Sequence, residues 1–232
     1  MVLGVVLSVV LFGQPVDESR PIVPAPNPLI TEVLVAVPKD SAGDANGDGQ
    51  RDATGDEFVE LMNPHDRAIE LGGFTISDRN AGGQGEVKFT FPKFTLEPGE
   101  IVVVFNGFNQ RFSPEVGTKE RAPKAKDERL GCWVFSMGNT NQYAAFSNKG
   151  DWVLLTDPDG RLVDIVYWGS FKAERPTGAD LVSEQVEGRS RGSACRYLFG
   201  GPMVWHHHLD GKDMSPGRHP IRASMSADDG GR

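Results

Sequence analysis

From Leu29 onward, no stretch of about a dozen residues keeps its apolar side chains at helical spacing, whereas short β-branched and aromatic runs recur between turn residues. The pattern predicts strands at Ile30–Val37, Glu57–Met62, Ala68–Ser77, Glu86–Phe91, Glu100–Phe105, Cys132–Ser136, Gln142–Ser147, Trp152–Thr156 and Leu162–Trp168. Asp157-Pro158-Asp159-Gly160 fixes a negative φ at proline and offers a glycine for a left-handed position, so it joins the last two as an antiparallel hairpin. Glu97-Pro98-Gly99 turns the chain into Ile101–Phe105, whose unbroken apolar run calls for cover on both faces and a central place in its sheet. Two sheets packed face to face bury such strands without enclosing a cavity, so the expected fold is an all-β sandwich with long loops and little helix. An immunoglobulin-like, Greek-key order follows by analogy.

The ends read differently. Met1–Gly13 is apolar apart from Ser8, too short for a bilayer core that needs about 20 residues, and resembles the apolar part of a secretory signal, although no Lys or Arg precedes it. A first β-strand is the alternative, and export is the favoured reading. Gln14–Pro28 carries five prolines and reads as a linker, so the folded unit is expected over residues 29–220 with a frayed polar tail at 221–232. With 24 Lys plus Arg against 32 Asp plus Glu, the net charge of −8 argues against nucleic acid as partner. Lys119–Arg129 mixes both signs around a proline without interleaved aromatic rings, and reads as a solvated loop.

The strongest chemical signal is acidic. Asp44, Asn46, Asp48, Gln50 and Asp52 place oxygen donors at alternate positions, and Gly49 stands sixth, where a loop curling around one cation reverses sharply. Asp44, Asn46 and Asp48 are the direct ligands on this reading, Gln50 gives its backbone carbonyl, and Asp52 binds directly or through water. The hard oxygen set selects Ca²⁺. The twelfth position is Gly55 instead of a glutamate, so Asp56 or Glu57 closes the site, and a strand follows where an EF-hand has a helix. An affinity of about 10⁻⁶ to 10⁻³ M is expected. The alternative is an ordinary Asp/Gly turn.

Cys132 and Cys195 either pair, closing a long loop at a gain of up to roughly 4 kcal/mol, or remain buried thiols. Asp164 within its strand reads as a buried anchor, or as an acid of shifted pKa. In Trp205-His206-His207-His208-Leu209-Asp210, His206 and His208 share a face if the segment is a strand, and with Asp210 they form a candidate Zn²⁺ set for a secreted metal-dependent hydrolase. His65 and His219 have no spacing that supplies a further ligand, and no HExxH, GxSxG or phosphate-loop motif is present. Trp133, Trp168 and Trp205 would serve a carbohydrate-binding sandwich if exposed on one face, and otherwise fill the core.

Short motifs occur in a telling order. Leu29-Ile30-Thr31-Glu32-Val33-Leu34, then Asp56-Glu57-Phe58-Val59-Glu60-Leu61-Met62-Asn63, then Ile69–Asp78, Phe91-Pro92 with Leu96–Glu100, Gly150–Leu155 with Leu162–Gly169, and Ser215-Pro216-Gly217 resemble the succession in bacterial lamin tail domains. The resemblance implies an immunoglobulin-like sandwich without catalytic residues, in which exported members often carry an acidic insertion at this place. It breaks down over Asn106–Asn141 and Ala173–Met214. The expected protein is a monomeric, exported structural or interaction module, stabilised by Ca²⁺, that meets a protein or other cell-surface component.

Overall fold

The structure is a computed structural model that describes residues 23–80, 85–107, 115–182, 185–188, 190–196 and 201–219. The apolar Met1–Gly13 segment and the tail at 221–232 lie outside the described residues. The strands are β1 (Leu29–Ala36), β2 (Phe58–Met62), β3 (Ile69–Glu70), β4 (Thr75–Asp78), β5 (Lys88–Thr90), β6 (Thr95–Leu96), β7 (Ile101–Phe105), β8 (Trp133–Ser136), β9 (Gly150–Thr156), β10 (Leu162–Gly169), β11 (Leu181–Val182), β12 (Gly192–Arg196) and β13 (Met203–Trp205). One helical turn, α1 (His207–Asp210), follows. They form a six-stranded sheet in the order β13-β12-β1-β2-β7-β8, a five-stranded sheet in the order β11-β10-β9-β4-β5, and the small pair β3-β6. This is the all-β sandwich that the patterning predicts.

Alternation builds the interface between the sheets. Val33, Val59, Leu61, Val102 and Val104 of the first sheet meet Ile76, Phe89, Val153, Leu155, Val163 and Val166 of the second in one buried cluster. Phe89, Phe91 and Phe94 each set a ring edge-to-face against Phe135, with centroids 5.3–5.5 Å apart. Across the same interior Arg196 of β12 gives two hydrogen bonds of 2.8 Å to Asp164 of β10, and both side chains are fully buried. Asp164 also accepts from the Ile30 amide, so this acid is an anchor between the sheets.

The first sheet is covered on its other face too. Leu34, Phe58, Met62, Ile101, Val103 and Phe105 pack beneath Ala45, Val116, Leu130 and Met214, all from loops. That cover accounts for the continuous apolar run of β7, which lies inside the sheet between β2 and β8, next to the edge instead of at the centre.

The Asp157–Gly160 hairpin forms as expected. β9 and β10 pair antiparallel, Gly160 has φ +80°, and the Asp157 carboxylate accepts the Asp159 and Arg161 amides. Other expectations are corrected. The predicted strand Ala68–Ser77 breaks at Gly73, whose φ of +87° turns β4 into a different sheet from β3. Gln142–Ser147 forms no strand, because Asn139 and Asn141 accept the amides of Asn141 and Tyr143 in successive tight turns. The end of the proline-rich stretch is docked rather than free: Val23 and Asn27 are buried, the Asn27 carbonyl meets His65, and its amide group donates to Asp180.

Candidate metal-binding loop and its surroundings

A 3-10 turn at Asp40–Gly43 leads into the acidic loop, and β2 receives it. The loop is wound by its own carboxylates and amides. Asp44 Oδ2 accepts from the Gly49 amide at 2.9 Å, Asn46 Oδ1 from Asp48 at 2.9 Å, and Asp48 Oδ1 from Gln50 at 2.8 Å. Asp52 Oδ1 caps the amides of Thr54 and Gly55. Gly47 and Gly49 supply the left-handed turns, with φ of +65° and +86°.

Two oxygens are left over. Asp44 Oδ1 and Asp48 Oδ2 are buried and accept no hydrogen bond from the described residues. Asp56 is buried beside them, its oxygens holding the Asn46 and Asp52 amides at 3.0 and 2.6 Å. Burial pushes its pKa up to about 6, with the nearby charges of Asp44 and Asp48 adding to the effect and its amide donors opposing it. A cation of hard character relieves this crowding, so the residues fit the group the spacing implies. Among the described residues, the loop acids do not converge three at a time within 4.8 Å, so a ligand set here takes in Asn46 Oδ1 and backbone carbonyls such as that of Gln50.

Glu57, the other candidate for closing the site, is committed elsewhere. Its Oε2 accepts from Asn106 Nδ2 and the Phe146 amide, both at 3.1 Å, and the acids that raise its pKa beyond the effect of burial are Asp78 and Asp151. A strand's alternation explains this: Asp56 precedes β2 on the loop side, and Glu57 turns the opposite way. Arg129, read from sequence as part of a solvated loop, donates from Nη2 to the Asn46 carbonyl at 2.5 Å and clamps the acidic loop from outside. Arg51 ties it to the carbonyls of Val37 and Pro38. A lone arginine in a mixed-charge run carries no sequence signal for either role.

The histidine set does not converge. The chain turns helical at His206, so residues two apart point in different directions instead of sharing a strand face. His206 is fully buried, His208 is exposed and lies against the His207 ring, and Asp210 Oδ1 meets His206 Nδ1 at 3.2 Å. His206 Nε2 lies 2.8 Å from Ser215 Oγ, which makes an acid–imidazole–hydroxyl chain resembling a nucleophile relay. The same hydroxyl lies 2.7 Å from the Arg218 carbonyl and 3.0 Å from Glu32 Oε2, and Ser215 lines neither of the clefts described below.

The disulfide is likewise corrected: Cys132 and Cys195 are free, buried thiols. Cys195 lies on β12 and Cys132 abuts β8, four strand spacings away, roughly 19 Å at about 4.8 Å per strand, where a bridge requires Cα atoms within about 7 Å. Trp168 and Trp205 are buried and Trp133 is half-buried, so the rings fill the sandwich, and Tyr143 is the exposed large apolar side chain among the described residues.

Among the described residues, two surface clefts are well formed. One of about 340 Å³ is lined by Glu115, Val116 and residues 125–129, and another of about 510 Å³ by Val37, Lys39, Arg191, His207 and Asp213. Within the described residues, no helix is long and apolar enough to cross a membrane.

Two packed antiparallel-rich sheets with an acidic loop between early strands define an immunoglobulin-like β-sandwich module. The chain belongs to the lamin tail domain family, whose model matches residues 25–170. No curated protein matches it.

Proposed function

We propose that this lamin tail domain is an exported, non-enzymatic structural and protein-interaction module whose acidic loop binds Ca²⁺. The observation that carries the calcium reading is the pair of buried, unpartnered oxygens Asp44 Oδ1 and Asp48 Oδ2 beside Asp56. Asp44, Asn46 and Asp48 would hold the ion through side chains, Gln50 through its carbonyl, and Asp52 or Asp56 would complete the set. When bound, the ion neutralises the clustered acids and fixes the connection between β1 and β2, where the loop also covers the first sheet through Ala45. Export rests on the apolar segment Met1–Gly13. The interaction role rests on family membership, and the partner is a protein or another cell-surface component.

Isothermal titration of chelator-stripped protein tests the metal. One equivalent of Ca²⁺ is expected to bind with Kd of about 10⁻⁶ to 10⁻³ M, and at a hundredfold excess over Kd to stabilise the fold by about 2.7 kcal/mol. Asp48→Ala is expected to abolish both. No heat and no change in Tm at millimolar Ca²⁺ would remove the calcium part of the proposal.

A further inference from the structure

Glu32 on β1 and Glu60 on β2 stand directly opposite one another in the strand register, and both are fully buried on the outer face of the first sheet. Two opposed carboxylates in such a place repel strongly unless protons or a cation intervene. The C-terminal segment closes over them. Ser215 donates from its amide to Glu32 Oε1 at 2.9 Å, and its hydroxyl lies 3.0 Å from Oε2. Gly217 donates from its amide to Glu60 Oε2 at 2.8 Å. Ser193 and Thr31 reach Glu32 and Glu60 from the sheet itself, each at 2.6 Å.

Counting hydrogens fixes what the cluster holds. His206 Nδ1 faces two acceptors, the Lys212 carbonyl and Asp210, so it carries a hydrogen. The single Ser215 hydroxyl hydrogen cannot serve His206 Nε2, the Arg218 carbonyl and Glu32 Oε2 together. Two more hydrogens, one on Nε2 and one on Glu32, would serve all three contacts, with the hydroxyl's own hydrogen on the Arg218 carbonyl. Among the described residues, the groups that act on Glu60 are the Glu32 charge, the Thr31 hydroxyl and the Gly217 amide, none of them a cation. The β7 residue opposite Glu60 is Val103, and the Arg196 guanidinium is spent on Asp164. Asp210 and Lys212 pair at the solvent side of His206. Cys195 and Cys132 flank the acids, and burial, with the charges of Glu32 and Glu60 for Cys195 and of Glu60 for Cys132, pushes both thiols up so that they stay neutral.

We propose that residues 206–219 form a proton-held clasp: protons kept on the opposed acids Glu60 and Glu32 hold the segment shut on the first sheet, and rising pH loosens it. Burial and the charge of Glu32 push the Glu60 pKa up to about 8 from an ordinary 4.5, and burial raises Glu32 also, opposed by His206. The closed form therefore keeps a proton that the open form releases. The resulting stabilisation is complete below pH 4.5, declines as pH rises, and is exhausted once Glu60 ionises near pH 8.

Cys195, Glu32 and His206 also place three donor atoms within 4.8 Å of one another, a spacing that a soft divalent ion could use. The Ser215 hydroxyl already stands 2.8 Å from Nε2 and 3.0 Å from Glu32 Oε2, between the groups such an ion would bridge.

Hydrogen exchange of the full chain, corrected for intrinsic rates, is the test. Protection of residues 203–219 is expected to fall by about tenfold or more per pH unit between about pH 5 and about pH 8, Glu60 supplying one such factor, and then to level, while β9 and β10 stay protected. Glu60→Gln is expected to flatten this dependence and to keep the segment protected at high pH. A pH-independent segment, or a variant that keeps the wild-type slope, would overturn the proposal. Should the variant fail to fold, carboxyl ¹³C titration of wild-type glutamates decides: a resonance titrating near 8 supports the clasp, and its absence sinks it. Stoichiometric Co²⁺ binding with a thiolate charge-transfer band that Cys195→Ser removes would also overturn it, since the cluster would then hold an ion in place of protons.

Discussion

At the scale of single residues, the Arg196–Asp164 pair is a costly commitment of the sandwich. Burial raises the Asp164 pKa, while Arg196 and the Ile30 amide act against that rise. Arg196→Met would leave a carboxylate fully buried without its partner, at an expected cost of about 3–5 kcal/mol in urea unfolding. The double variant Asp164→Leu/Arg196→Met should recover much of that loss, because it removes the charge along with its partner. The sequence marked Asp164 as an anchor through its place in an apolar strand. It offered no means of finding Arg196, whose strand, Gly192–Arg196, contains small and polar residues with no β signature. Glu32 and Glu60 stand in apolar runs of the sequence, where nothing marks them as partners. Their confrontation depends on the β1–β2 register and on the irregularity between Ile30 and Glu32, which is a property of paired strands.

At the scale of elements, the turns were the most legible parts because their chemistry is local. Gly160 illustrates this: a Cβ there would meet nothing within 4 Å, so Gly160→Ala should cost only the left-handed strain of about 1–2 kcal/mol, measurable as a drop in Tm. Gly169, with φ +59°, would add a Cβ at 2.4 Å from the Lys149 carbonyl, and the same substitution should cost clearly more there. Gly72-Gly73 held a comparable signal that an apolar run on either side concealed, which is why one predicted strand proved to be two. The acidic loop was legible in its donors and in Gly49. Its outer support was not, since the Arg129 contact joins residues 83 positions apart.

At the scale of the whole molecule, the sheet order places late chain segments on early ones. β12 pairs with β1 along Glu32–Ala36, and β13 adds a further edge strand. The match to the family model ends at residue 170, before both strands. The alternating pattern of the chain likewise leaves out these two of the six strands of the larger sheet. Fragments 23–170 and 23–219, compared by size-exclusion chromatography and thermal melting, should behave differently: the longer is expected to be monomeric and cooperative, the shorter to self-associate or melt early.

The reason lies in β12, and it bears on how the domain can be cut and joined. Shorn of that strand, β1 would present bare amides and carbonyls along its length, and Asp164 would face an interior with no guanidinium to meet it. Any fusion or grafting of this module should treat the homology boundary as a landmark for recognition only, and carry the polypeptide on to at least Gly217, where the seam is actually sewn.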